Sequence, residues 1–297
     1  MWKRRATGWL RGGRRAERRA YLAGVKLFDR IAPLALVAGI LLSAAPPVGS
    51  SRGPDAGRGL AMLQHFNDSL PRSGGNGLRC TSCHLDDGRR GSAMSWVGVT
   101  SRYPKYRSRR GAVERIEQRV NECIARSLAG RMLPENDPAM HDMVAYLEAL
   151  RHDALPARPD TVRLVGDTLR GAQEYVRQCA RCHAGDGTGG AAPAVVGAES
   201  YSVGAGMARQ HVLATFLRWN MPYDLAGTLS AQDAADIAAW VLRRPRPDHP
   251  GKERDWPNGD PPSDAAYATD GARARGLAPP VPRPLLRRRM LPNQTSQ

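Results

Sequence analysis

The pattern Cys-x-x-Cys-His occurs twice in this chain of 297 residues, as Cys80-Thr81-Ser82-Cys83-His84 and as Cys179-Ala180-Arg181-Cys182-His183. If each motif is helical, the Cys at i and i+3 and the His at i+4 project from one face, so two thiols can reach the vinyl groups of a haem while the imidazole binds its iron. Zinc ribbons instead separate their Cys pairs by about 15–20 residues and need no His after each pair. A disulfide or redox Cys-x-x-Cys needs neither the His nor a duplication. Two covalently bound haem c groups are therefore expected, one held by Cys80, Cys83 and His84, the other by Cys179, Cys182 and His183. Two large apolar cofactors also explain how a chain with only 6% aromatic residues could build two cores.

Each motif lies within a loose repeat. Gly57-Arg58-Gly59-Leu60 opens a helical stretch before the first motif, and Gly166-Asp167-Thr168-Leu169-Arg170-Gly171 opens one before the second. Each unit then closes on a periodic helix, Pro138 to Leu150 and Ser230 to Leu242. In these, Met140, Met143, Val144, Leu147 and Leu150, and Ala234, Ile237, Ala238, Val241 and Leu242, recur every three or four positions along one apolar face. Ser230 with Asp233 makes a good N-cap. No stretch between these helices alternates like a strand. The expected fold class is all-α: two tandem class I-like cytochrome c domains over 51–155 and 166–245, joined by a linker at 156–165. A tail over 246–297 follows, in a region with eleven prolines between 243 and 297; it either wraps the surface or is disordered.

The net charge of +16 would suggest a nucleic-acid partner. Residues 1–30, however, carry ten basic side chains against Glu17 and Asp29, half of the excess, and no nucleic-acid-binding motif accompanies the rest. The basic stretch precedes the uncharged run Ile31 to Leu42 and the small residues Ser43, Ala44 and Ala45, the order of a secretory signal. Pro33, Pro46 and Pro47 argue against a spanning helix. Residues 1–50 are expected to be a removed signal peptide or an uncleaved anchor, with membrane attachment only in the second case. Haem attachment outside the cytoplasm then places the protein in the periplasm.

The sixth ligand of each iron separates electron transfer from chemistry. In the second unit Met221, in Asn220-Met221-Pro222, is the expected ligand, with Met207 as competitor. In the first unit the haem motifs leave one cysteine over, Cys123. If its surroundings are helical, Arg119, Arg126 and Ser127 share the side of the thiol, an arrangement that would activate the thiol and bind an anion. Met132 is the alternative ligand; Cys123 is favoured because it accounts for the basic cluster.

Several motifs taken in order resemble those of the thiosulfate dehydrogenase family of dihaem cytochromes c, over residues of about 57–270. They are Cys80 to Asp86, Val97-Gly98-Val99, Tyr103-Pro104-Lys105-Tyr106-Arg107, the stretch Cys123 to Ser127, Ala205-Gly206-Met207, Asn220-Met221-Pro222 and Arg244 to Pro247. The resemblance implies oxidation of two thiosulfates to tetrathionate at a first haem ligated by His84 and Cys123. Arg109, Arg119, Arg126 and Ser127 would hold the substrate anion, and Cys123 would form or stabilise a sulfur adduct. A second haem, ligated by His183 and Met221, would pass electrons to a small periplasmic cytochrome c or similar acceptor. Family members can carry a Lys beside the second-haem Met, where this chain has Asn220. Competing readings are a dihaem electron carrier without its own substrate, a tetrathionate reductase, and a Sox-type sulfur-oxidation cytochrome acting on a carrier protein's cysteine.

Overall fold

The computed structural model describes residues 53–157 and 159–286. The expected signal or anchor over 1–50 and the end of the tail, 287–297, lie outside the described residues. The elements in chain order are α1 (Ala56–Gln64), α2 (Phe66–Ser69), β1 (Lys105–Arg107), β2 (Ala112–Glu114), α3 (Ile116–Arg126) and α4 (Pro138–Ala149). There follow α5 (Thr168–Gln178), α6 (Ala180–His183), α7 (Gln210–Asn220), α8 (Ala231–Leu242), β3 (Arg246–Pro247), α9 (Asp270–Ala274) and β4 (Leu285–Leu286). The architecture is predominantly helical. Short strands not expected from the sequence do occur. Strands β1 and β2 form an antiparallel hairpin with Lys105 opposite Glu114, and β3 pairs in parallel with β4.

The loose sequence repeat becomes one packing device used twice. In the first unit α1 crosses α4: the Asp55 N–H donates to Asp142 (2.8 Å), and Arg58 pairs with the same carboxylate (2.8 Å). In the second unit α5 crosses α8: the Asp167 N–H donates to Asp236 (2.7 Å), and Arg170 pairs with it (2.7 Å). Gly59 and Gly171 make both crossings possible, since a Cβ at either would stand 2.0 Å from the carbonyl oxygen of Asp142 or Asp236. The apolar faces of α4 and α8 fill the space below, with Met140, Met143 and Leu147 buried in one and Ala234, Ile237, Ala238 and Val241 in the other. Ser230 caps α8 by accepting from the Asp233 N–H (3.0 Å).

The haem motifs differ locally. Cys80–Ser82 forms a 3-10 turn, whereas Ala180–His183 completes a short α-helical turn after α5. Along its described length the tail wraps the surface. Trp256 and Tyr267 are buried, the Trp256 N–H donates to the Arg109 carbonyl (2.8 Å), and Asn258 donates to the Tyr106 hydroxyl (2.8 Å). Among the described residues no helix is long and apolar enough to cross a membrane.

Candidate haem and substrate site

A cavity of about 700 Å³ has walls from the first haem motif, α3, the linker and the second unit, and its size falls in the range of about 300–1,000 Å³ usual for cofactor and ligand pockets. Cys80, Cys83 and His84 line it, and so do Arg119, Cys123 and Ser127. Helix geometry explains why α3 supplies these three: positions 119, 123 and 127 are four apart and share one face. Ile116, Val120 and Ile124 line the same cavity, so the polar stripe runs within an apolar wall. Ser127 ends the helix, with its N–H bonded to the Cys123 carbonyl (2.8 Å).

The electrostatics show how close these groups stand. Burial pushes the Cys83 thiol up to about 12, and the neighbouring Cys123 adds to the shift. Cys80 is raised by the same two causes, and also by Cys83. The Arg119 guanidinium lies above its ordinary value, chiefly because of Cys123 and against the effect of burial, with Tyr103, Glu114 and Glu122 adding to it. Arg119 thus remains a fixed cation beside a thiol.

The two motif histidines are prepared alike. His84 Nδ1 lies 2.7 Å from the Met94 carbonyl, and His183 Nδ1 lies 2.7 Å from the Pro193 carbonyl. A carbonyl only accepts, so Nδ1 carries the proton and Nε2 keeps its lone pair for a metal. Burial lowers His84 to about 4, so it is neutral, as ligation requires. Trp96 stacks on His84 with ring centroids 4.7 Å apart. All five cysteines are free, and among the described residues no group of three or more His, Cys, Asp or Glu converges as a metal site. Paired thiols beside an imidazole with an open Nε2 fit a covalently attached haem in each unit.

Two of the four anion-binding candidates face elsewhere. Arg126 and Arg109 are not among the residues that line the cavity. Arg126 donates twice to Asp255 of the tail (2.7 and 2.8 Å) and pairs with Glu122, and the Tyr267 hydroxyl also donates to Asp255. Arg109 donates to the Gly204 carbonyl (2.7 Å) and lies over the Trp256 ring, 4.6 Å from its centroid. The physical reason is the tail: Asp255 and Trp256 offer these guanidiniums buried partners, and no helical periodicity of α3 could reveal that. Arg126→Ala strands the buried Asp255 carboxylate and is expected to lower stability by about 3–5 kcal/mol, read from denaturant unfolding of the holoprotein. A loss below 1 kcal/mol would contradict a structural role for the pair.

The competing thioethers are also separated. Met132 is 57% exposed and does not line the cavity. Met207 is buried on the wall of the first-unit cavity. Met221 follows directly on α7 and packs against the core. Its neighbour Asn220 is buried and bridges to the first unit: Ser92 Oγ donates to Asn220 Oδ1 (2.8 Å), and Asn220 Nδ2 donates to the Ser92 carbonyl (3.0 Å).

The site includes residues for which the sequence reading proposed no role. Arg102, Tyr103, Lys105 and Arg107 line the cavity, carried by β1 and the turn before it. Their motif was visible in the sequence, but without the hairpin nothing aims it at the cavity. A second signal was available: the carbonyl holding each haem-motif histidine comes ten residues after it in both units.

Residues 71–153 match the family described as SoxA/TsdA, cytochrome c domain, and residues 166–241 match cytochrome c oxidase, cbb3-type, subunit III. The chain is 38% identical over 222 residues to a thiosulfate dehydrogenase of Psychrobacter arcticus, covering 70% of this chain and 68% of that protein. It is 35% identical over 211 residues to a thiosulfate dehydrogenase of Allochromatium vinosum, covering 64% and 77%. Among solved structures, the thiosulfate dehydrogenase TsdBA of Marichromatium purpuratum in its as-isolated form aligns with a TM-score of 0.62 at 28% identity. That alignment covers 70% of this chain and 48% of the other, so the chain spans about half the length of the TsdBA chain.

Proposed function

The chain belongs to the thiosulfate dehydrogenase family, and from that premise we propose that it is a periplasmic dihaem oxidoreductase that joins two thiosulfates into tetrathionate at the first-unit cavity. His84 and Cys123 are the ligands of the first iron, and His183 and Met221 those of the second. The observation that carries this reading is that Arg119, Cys123 and Ser127 line one cavity with Cys80, Cys83 and His84. An electron carrier without a substrate has no use for a half-buried guanidinium and a free thiol in its haem pocket.

Haem c bound in the two units supplies one-electron redox centres that together can take the two electrons released. In the net reaction each thiosulfate dianion gives up one electron, a single S–S bond forms, and no proton or leaving group is involved. The protein's task is electrostatic. Two unit charges 4 Å apart at an effective dielectric of 20 repel by about 4 kcal/mol, so two dianions repel by about four times as much. Arg119 opposes that repulsion inside the cavity, and Ser127 adds a neutral donor. Arg102, Lys105 and Arg107 extend the positive field along the wall. Cys123 would hold the iron at low potential; if its thiolate bonds the outer sulfur of one thiosulfate, two electrons leave to the redox centres, and the second thiosulfate then displaces the thiolate as the tetrathionate S–S bond forms. The second unit passes electrons to a small periplasmic cytochrome c or similar acceptor.

The decisive experiment is thiosulfate-dependent reduction of ferricyanide by the purified holoprotein, with tetrathionate identified as product and tetrathionate reduction assayed in parallel. Turnover of free thiosulfate is expected. Failure to reduce ferricyanide at any thiosulfate concentration, with both haems attached, would leave the electron-carrier or Sox-type reading. Capture of the dianion by cavity cations also predicts salt dependence. The screening length shrinks from about 30 Å at 0.01 M salt to about 3 Å at 1 M, so kcat/KM is expected to fall several-fold across that range while kcat stays level. A salt-independent kcat/KM would remove long-range capture from the mechanism.

A further inference from the structure

Arg246, on β3, is completely buried. Its guanidinium lies over the Tyr201 ring, 4.5 Å from the centroid. It donates to the Val241 carbonyl (2.7 Å) and, at longer range, to the Tyr201 carbonyl (3.4 Å). Arg246 Nε and the Tyr201 hydroxyl are both buried without a hydrogen-bond partner among the described residues. A second guanidinium closes in from the end of the described tail: Arg283 donates to the Ala208 carbonyl, and burial and then Arg246 push it down to about 10. Arg243 adds to the same positive field. Asp264 acts on Arg283 in the opposite sense, but that carboxylate is already engaged by Arg209 (2.6 Å) and the His211 N–H (3.0 Å). Residues 287–297 contain no Asp or Glu.

This cluster is the counterpart of the Arg126 site with the acid missing. There, a buried guanidinium meets Asp255 of the same chain. Here, among the described residues, the hydrogen bonds of Arg246 and Arg283 go to backbone carbonyls, and Arg246 also lies over the Tyr201 ring. A buried charge left unpaired and a buried donor without an acceptor are both destabilising. An anion from outside the polypeptide relieves both. The cluster borders the first-unit cavity: Cys83 of the cavity wall acts electrostatically on the Tyr201 hydroxyl, and Ala208 follows Met207 of that wall.

We propose that Arg246, Arg283 and Tyr201 form a buried site for one carboxylate or oxyanion group. Two sources can supply that chemistry, a propionate of a covalently attached haem or a free anion of the sulfate type. Only the first depends on haem attachment, which a covalent-haem stain checks independently of thiosulfate turnover.

The test compares wild-type holoprotein with Arg246→Gln, Arg246→Lys and Tyr201→Phe. It measures haem midpoint potentials by spectroelectrochemistry and thermal unfolding midpoints across a sulfate titration. If a propionate occupies the site, Arg246→Gln lowers at least one midpoint potential, because losing a cation favours the oxidised, more positive iron. Tyr201→Phe then gives a smaller shift in the same direction, Arg246→Lys restores most of the wild-type value, and sulfate has no effect on wild type. If a free anion occupies it, sulfate raises the wild-type unfolding midpoint, and Arg246→Gln abolishes that rise with the potentials unchanged. Wild-type potentials together with a wild-type sulfate response in Arg246→Gln would overturn the proposal. Should that variant fail to accumulate, Tyr201→Phe decides by the same two readouts, and no change in either counts against the site.

Discussion

Replacing Cys123 with Ala or Met is expected to reduce thiosulfate turnover by a factor on the order of 10³ or more, with both haems still covalently attached. The reasoning starts from position. Cys123 is the one cysteine outside the haem motifs, it lines the cavity with Cys80, Cys83 and His84, and its proximity helps raise both motif thiols. A thioether or a methyl group at this position removes the thiolate that would hold the iron at low potential and that would meet substrate sulfur. Since Cys123 plays no part in attachment, stained gels should show the haem content of wild type. The Met variant is the informative one, because it keeps a sulfur in place while losing the charge. Thiolate-ligated low-spin haem has its own signature in low-temperature electron paramagnetic resonance, and that signature should vanish with turnover. A Cys123→Ala protein with near-wild-type activity would dispose of the assignment.

Arg119→Ala is expected to lower kcat/KM for thiosulfate by about 10²–10³, corresponding to about 2.7–4 kcal/mol for a donor aimed at developing or bound negative charge in a water-poor site. Most of the loss should appear in KM, because the guanidinium opposes substrate repulsion before any electron moves. Arg119 is the α3 guanidinium on the cavity wall. Lysine at the same position should recover part of the loss, since it restores the charge but not the planar fork. Arg109→Ala serves as the contrast. Its side chain is committed to Gly204 and Trp256, so it should alter stability more than KM. Steady-state kinetics of the three variants separate the roles, and an unchanged KM in Arg119→Ala would take that residue out of the site.

The helices were legible because their signals are local. The apolar faces of α4 and α8 and the Ser230 cap lie in single stretches of chain, and the observed helices start and stop within a residue or so of their expected bounds. The glycines that open each unit were visible as a repeat, but their reason, backbone contact with Asp142 and Asp236, was not. The hairpin of β1 and β2 escaped notice because its strands are three residues each, too short to alternate. Four-residue spacing puts Arg119, Cys123 and Ser127 on one face, and all three line the cavity. The same logic extended to Arg126 failed, since a residue three positions on lies at the flank of the face, where a stronger partner can claim it.

The sequence by itself determined that this chain carries two haem-attachment motifs in a duplicated all-α frame, and that one cysteine remains. Those facts depend on residue identity and on spacing within a turn or two of helix, which covalent geometry makes nearly independent of the rest of the chain. Tertiary structure alone decided which cations serve the cavity. Asp255 and Trp256 lie more than a hundred residues downstream of Arg126 and Arg109, and only the wrapping of the tail brings them within bonding distance. A guanidinium goes to the partner that best repays its lost hydration, and that choice is made in space, not along the chain.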